Sequence, residues 1–280
     1  MSDRESSRGR VLVVAGSDPV AGAGLQADLK TITALGGYAM TAVTAVTVQD
    51  TRRVYGFTPL DPDLVVRQME VCLADVGADC IKLGMLASRD IVAAVAGVLD
   101  QVPELPVVAD PVLAAGGGGS LLTGDGLDFY RERLLPRVTL LTPNAPEAAA
   151  LTGLAVETPV QAEQAARRLG EFGCRVLLTG GHLPGETITD LLWDGSGWHR
   201  FHSLRRAGPG FHGTGCTLAS AVAAGLARGV PLAEAVAAAV SHVARVVAGA
   251  RFLGGGQGLL AVSGAGMPRR NQRISNPLIP

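Results

Sequence analysis

Gly208-Pro-Gly-Phe-His-Gly-Thr-Gly-Cys-Thr217 opens directly into residues 218–226, a long alanine-rich apolar segment. Glycines 213 and 215 free the backbone to turn tightly, and Thr214 and Thr217 are candidates to cap the helix that follows. The first N–H groups of a helix lack internal partners and lie at its positive end, so this turn reads as an anion site. Cys216 stands in that site. A thiolate is favoured at a helix N-terminus, which lets Cys216 serve as a base or a nucleophile. Taken alone, Gly213-Thr-Gly-Cys216 is equally compatible with a tight turn around a small buried cysteine.

Working outward, the chain alternates strand and helix. Residues 11–16 form a continuous apolar run ended by glycine, the pattern of a strand buried on both faces. Helical spacing follows over 25–35, then Thr/Val-rich strands over 38–48 and 54–60. Helices are expected over 62–76, 89–99, 125–135, 146–151 and 160–172. Strands are expected over 79–85, 107–111, 138–142 and 175–178. Residues 187–193 and 198–203 read as a hairpin around Asp194-Gly-Ser-Gly197. This order predicts an α/β fold: one domain, residues 10–252, with a mostly parallel sheet covered by helices on both faces. Ligands bind such sheets at the carboxyl ends of the strands, here the loops after residues 16, 85, 110, 142 and 179. Residues 1–9 and the Gly/Arg-rich tail 253–280 offer little to bury and are expected to be disordered.

Composition narrows the function. Of 280 residues, 48% are hydrophobic and only 4% aromatic, so the core is aliphatic. The formal net charge of −1 gives no electrostatic case for nucleic acid or an anionic membrane, and points to small-molecule partners. The four cysteines show no C-x-x-C and no metal-type spacing with the five histidines; Cys72, Cys80 and Cys174 read as core residues. The polar N-terminus lacks a signal-peptide core. The longest apolar candidate, residues 231–250, is interrupted by Glu234, His242 and Arg245. A reducing cytoplasm is the expectation.

Gly22-Ala-Gly-Leu-Gln-Ala27 fits the dinucleotide pattern G-x-G-x-x-A. Five residues separate it from the strand end, however, and no acid ends the next strand. No Walker A loop occurs. Asp28 lies in the first turns of the next helix beside an apolar face, where it can serve as a dipole partner. Gln49 ends a strand. Asn144-Ala-Pro-Glu147 follows a buried strand and fits either a capping box or oxygen ligands for magnesium.

Seven motifs then occur in order: Ala15-Gly-Ser-Asp-Pro19, Gly22-Ala-Gly-Leu-Gln-Ala-Asp-Leu-Lys30, Lys82-Leu-Gly-Met85, Asp110-Pro-Val112, Thr142-Pro-Asn-Ala-Pro-Glu147, Gly180-Gly-His182 and His212-Gly-Thr-Gly-Cys-Thr217. Over residues 10–252 the chain resembles the hydroxymethylpyrimidine/phosphomethylpyrimidine kinases of thiamine biosynthesis, in the ribokinase-like superfamily. The resemblance implies a homodimer that transfers phosphate from ATP, with Mg²⁺, to 4-amino-5-hydroxymethyl-2-methylpyrimidine and then to its monophosphate. It implies Cys216 as the base and Gly213, Thr214 and Gly215 as the anion hole. Gly16, Asp28, Gln49, Met85 and Val112 would line the pyrimidine pocket. Asn144, Thr179 and Gly181 would serve the nucleotide, with Glu147 and Asp110 serving the metal. The wider superfamily usually has Asp where Cys216 stands, so the cysteine points to the pyrimidine kinases or to a related class of pyridoxal kinases, and a pyridoxal or pyridoxine kinase is the alternative.

The chain also departs from the family pattern. Lysines common in the family are replaced by Gly116 in the loop after Asp110-Pro-Val112, by Thr179, and by Gln257 in Gly254-Gly-Gly-Gln-Gly258. The usual Asn-Thr is Gly210-Phe211. Arg205, Arg206 or a partner-chain arginine are the candidate replacements, and the glycine run 116–119 is a candidate lid. Without them the second phosphorylation would weaken, or the protein would be a pyrimidine-binding relative without activity.

Overall fold

The computed structural model describes residues 9–113, 122 and 126–262. Its elements run β1 (Arg10–Ser17), α1 (Gly24–Ala34), β2 (Tyr38–Gln49), β3 (Val54–Pro59), α2 (Pro62–Asp75), β4 (Cys80–Leu83), α3 (Arg89–Gln101), β5 (Val107–Ala109) and α4 (Gly126–Phe129). They continue with β6 (Leu140–Leu141), α5 (Ala145–Thr152), α6 (Pro159–Gly170), β7 (Arg175–Leu178), β8 (Thr187–Trp193), β9 (Trp198–Leu204), β10 (Phe211–His212), α7 (Thr214–Leu226), α8 (Leu232–Ala248) and β11 (Gly258–Leu259).

Nine strands form one sheet in the order β3-β2-β1-β4-β5-β6-β7-β8-β9. From β2 to β7 all neighbours are parallel, while β3, β8 and β9 join antiparallel at the edges. β1 shows why its sequence is continuously apolar. Val11, Val13 and Ala15 pack with α1, α7 and α8, whereas Leu12 and Val14 pack with α2 and α3 on the opposite face. After β1 the chain moves one way to β2 and later returns on the other side as β4. That reversal leaves a crevice beyond the carboxyl ends of β1 and β4, where open α/β sheets bind ligands.

Local signals set the helix starts. Ser88 accepts from the Ile91 N–H at 3.2 Å, and Asn144 and Thr158 each head a complete capping box. The expected helix over 125–135 is instead the short α4, a π-type turn over Tyr130–Leu134 and a 3₁₀ turn over Leu135–Arg137. Pro136, with no N–H to donate, fits the end of regular helix there.

The tail differs from expectation. Residues 254–262 are ordered against the domain, and β11 pairs in parallel with β10, Phe211 against Gly258 and His212 against Leu259. The Gln257 N–H donates to Thr51 O at 2.8 Å, and the Gly256 N–H to Thr51 Oγ1 at 3.1 Å. These bonds join backbone to backbone or to one hydroxyl, so a Gly-rich segment forms them without hydrophobic periodicity. The expected lid at 116–119 and the ends 1–8 and 263–280 lie outside the described residues.

Candidate active site

Two helix N-termini converge on Cys216. α7 starts after Gly213, whose φ of +82° is left-handed and where a side chain would overlap Gly22 O. Thr214 and Thr217 do not cap it, contrary to expectation. Gly213 is the N-cap, and Thr217 Oγ1 is buried without a hydrogen-bond partner. The opening N–H groups of Thr214, Gly215 and Cys216 therefore have no capping side chain over them. α1 also lacks a side-chain cap, and the Gly24 N–H donates to the Cys216 sulfur.

The thiol itself is not pre-ionised. Cys216 is only 9% exposed, and burial pushes its pKa well above the ordinary range; Lys82 opposes this, while Asp110 and Asp28 add to it. The expectation of a favoured thiolate is corrected on that ground. The Asp110 carboxylate lies beside the thiol and faces Gly215: a Cβ there would lie 3.5 Å from Asp110 Oδ1.

Beneath Cys216 is a buried ion pair. Lys82 Nζ lies 2.9 Å from Asp28 Oδ2, both side chains are fully buried, and Ser220 Oγ donates to Asp28 Oδ1 at 2.7 Å. Burial works against the Lys82 charge, but Asp28, Cys216 and Asp110 outweigh it and hold its pKa above normal. Asp28 thus does not line the pocket surface, as the sequence suggested. Its carboxylate holds Lys82 under the site.

Gly16 and Met85 do come together: a Cβ on Gly16 would meet Met85 Sδ at 3.1 Å. Thr44 Oγ1 donates to Met85 O at 2.6 Å and fixes that wall. Val112 follows Asp110, its N–H donating to Asp110 O at 2.9 Å. Gln49 lies near Asp18 and edges a shallow cavity with Asp50, Arg52, His212 and Gln257.

The opposite bank carries the expected nucleotide residues. Asn144 Oδ1 accepts from the Glu147 N–H and Glu147 Oε2 from the Asn144 N–H, both at 2.9 Å, so the capping box is real. Asn144 bridges Thr179, and the Thr179 N–H donates to Pro143 O at 2.9 Å. Arg205 and Arg206, the candidate replacement cations, are engaged by main-chain carbonyls. Arg205 Nη1 and Nε donate to Gly181 O and Gly185 O, each at 2.7 Å, and Arg206 Nη1 to Ala248 O at 3.0 Å.

Glu147 and Asp110 suit a divalent cation. Burial, then the neighbouring Asp110, lifts Glu147 to about 8, and burial also raises Asp110. Two desolvated carboxylates in electrostatic contact are what a hard cation would relieve. No group of three or more His, Cys, Asp or Glu side chains among the described residues could hold a metal, so this pair would leave positions to water and phosphate.

Sequence reasoning quoted Asp18, Lys82 and His212 within motifs but gave them no role, and it missed Ser220. A signal was present for Lys82. A charged residue inside a strand as apolar as Cys80–Leu83 needs a buried carboxylate, and Asp28 on an apolar helix face is the complementary oddity.

A family described as phosphomethylpyrimidine kinase matches residues 18–261. The hydroxymethylpyrimidine/phosphomethylpyrimidine kinase of Streptomyces coelicolor is 45% identical over 249 residues, covering 89% of this chain and 92% of that one. The thiamine biosynthesis bifunctional protein ThiED of Geobacter sulfurreducens is also 45% identical, over 90% of this chain, which spans about half (51%) of that protein's length. The structure of the Staphylococcus aureus pyridoxal kinase in complex with AMP-PCP and pyridoxal superposes with a TM-score of 0.83 at 33% identity, over 90% of this chain and 93% of that one. The chain belongs to the phosphomethylpyrimidine kinase family and has its ribokinase-like fold. It is a kinase.

Proposed function

We propose that the chain transfers the terminal phosphate of ATP to the hydroxymethyl oxygen of 4-amino-5-hydroxymethyl-2-methylpyrimidine, and then to the resulting monophosphate. The observation that carries this is the convergence of two uncapped helix N-termini on Cys216. Phosphoryl transfer needs in-line positioning and neutralisation of developing charge more than covalent chemistry. The N–H groups of Thr214, Gly215 and Cys216 face that charge, and the Lys82 ammonium lies beneath it.

The high Cys216 pKa dictates how the acceptor proton leaves. The thiol gives its proton to solvent only in the loaded site, where Lys82 and the opening N–H groups of α1 and α7 favour the anion, and the thiolate then takes the hydroxymethyl proton. No thiolate then has to exist at rest. Gln49 offers a donor and an acceptor to an aminopyrimidine edge, and Met85 and Gly16 form an apolar slot for the ring. Asp110 and Glu147 would hold Mg²⁺, which supplies charge neutralisation on the nucleotide phosphates. A homodimer in a reducing cytoplasm completes the reading, in which residues 10–259 act as one catalytic domain. No helix among the described residues is long and apolar enough to cross a membrane.

Likeness to a pyridoxal-bound kinase supports a second reading, with pyridoxal as acceptor. One assay separates them: ADP formation with Mg²⁺ and hydroxymethylpyrimidine, its monophosphate or pyridoxal, with Cys216→Ala as control. Turnover of both pyrimidines, falling at least ~100-fold in the variant, is expected. Preference for pyridoxal would move the assignment, and no turnover of any acceptor would refute it.

A further inference from the structure

The turn that carries the anion hole is held from outside by a single carboxylate. Asp18 is 2% exposed, and its oxygens collect the loop after β1: Oδ1 accepts from the Val20 N–H at 2.8 Å, Oδ2 from the Gly22 N–H at 2.9 Å and the Ala23 N–H at 2.8 Å. The fourth partner comes from 194 residues away. His212 Nε2 lies 3.0 Å from Asp18 Oδ2 and is the residue immediately before Gly213. The two loops have no slack. A Cβ on Gly22 would strike the His212 ring, and one on Gly213 would strike Gly22 O. Ala21 adopts a left-handed φ of +59°, a conformation a non-glycine residue holds only when its surroundings impose it.

We propose that Asp18 and His212 form a clasp that positions the anion hole: the carboxylate holds His212, and His212 sets the register of Gly213 to Cys216 against the start of α1. Neither side chain needs to touch substrate, so both are positioning residues. The Asp18 carboxylate fixes the 20–23 turn and, through His212, the 213–216 turn, so the N-termini of α1 and α7 move as one unit. Donors aimed at a transition state lose most of their effect when displaced by about 1 Å. Breaking the clasp therefore lowers kcat and leaves KM for the acceptor nearly unchanged.

The inference rests on the kinase reading for its kinetic arm only. The test compares His212→Phe, which keeps a ring without the donor, with His212→Gln, whose Nε2 restores one, in the full chain. Expected is a 10- to 100-fold fall in kcat for the Phe variant with KM within about threefold, and recovery to within about fivefold for Gln. Asp18→Asn also disturbs the bonds to Val20, Gly22 and Ala23, so it should be the poorer single variant, and adding His212→Phe to it should cost little more, because the bond His212 makes is already weakened. Amide hydrogen exchange provides an arm that needs no turnover: the Phe variant should exchange faster at 20–24 and 213–217 and unchanged at α6. An unaltered kcat in the Phe variant, equal losses for Phe and Gln, multiplicative losses in the double variant, or unchanged exchange at both turns would each overturn the clasp. If the wild type turned over no acceptor, the kinase reading would fail, and the exchange result alone would decide the clasp.

Discussion

The two banks of the crevice are built on opposite electrostatic plans. On the acceptor bank each charge has its partner inside the protein: Asp28 has Lys82 and Ser220, and Asp18 has three backbone N–H groups and His212. On the nucleotide bank Glu147 accepts from the Asn144 N–H but stands near a second carboxylate, and burial with the Asp110 charge lifts it to about 8; burial raises Asp110 as it raises Asp28, against the pull of Lys82. The difference teaches which charges are permanent. The acceptor bank is pre-balanced and can stay rigid in the empty enzyme, whereas the nucleotide bank is left wanting positive charge that arrives with the donor.

Breaking the balance on the acceptor bank should have the largest effect. Lys82→Met strands the Asp28 carboxylate in the core and should cost about 3–5 kcal/mol in urea unfolding. Replacing both partners, Asp28→Leu with Lys82→Met, should recover most of it, and failure to recover would mean the pair does more than neutralise itself. Gly213→Ala comes next. Its side chain would collide with Gly22 O at a left-handed φ, so kcat should fall about 100-fold or more in the turnover assay.

The acid limb sharpens the contrast further. Burial alone would raise Asp18, but hydrogen bonds from His212, Ala23 and Val20 outweigh it and hold its pKa at about 2. A folded-state value below the ordinary 3.8 gives stability that is present above about pH 4 and lost as pH falls towards 2, amounting to about 2 kcal/mol. Asp18→Asn should flatten that limb in pH-dependent unfolding. Glu147 has the opposite sign: folded at about 8 against 4.5, it draws stability down as pH rises through that window. Glu147→Gln, measured in EDTA, should therefore gain stability above about pH 6. The smallest effect belongs to Arg205→Ala. Its donors serve carbonyls, so KM for ATP should rise less than about threefold; a rise of tenfold or more would put it on a phosphate after all.

Much of this was legible in the residues. The continuous apolar run of β1 gave a buried parallel strand because nothing else tolerates Val and Leu on both faces, and Gly213-Thr-Gly-Cys216 gave a helix start with a thiol in it. What spacing could not give was partnership across the sheet. Lys82 meets Asp28 only because β4 returns on the far side of β1 from β2, and His212 meets Asp18 across 194 residues. Nor could spacing reveal that Cys216 lies in a desolvated pocket, since a helix N-terminus lowers a thiol pKa and burial raises it, and burial is the larger here. The tail was missed for a simpler reason: its strand is held by main-chain bonds, and its imprint on side-chain choice is the glycine run at 254–256, where a Cβ would meet Thr51 or Arg52, a composition that reads equally as a loose linker.

That last strand has a consequence for where the chain tolerates change. Leu259 pairs with His212 directly ahead of the anion hole, and the preceding glycines lie across Thr51 and Arg52. The nine-stranded sheet uses no residue beyond Leu204, so the segment after α8 braces the turn of the reaction centre and not the body of the fold.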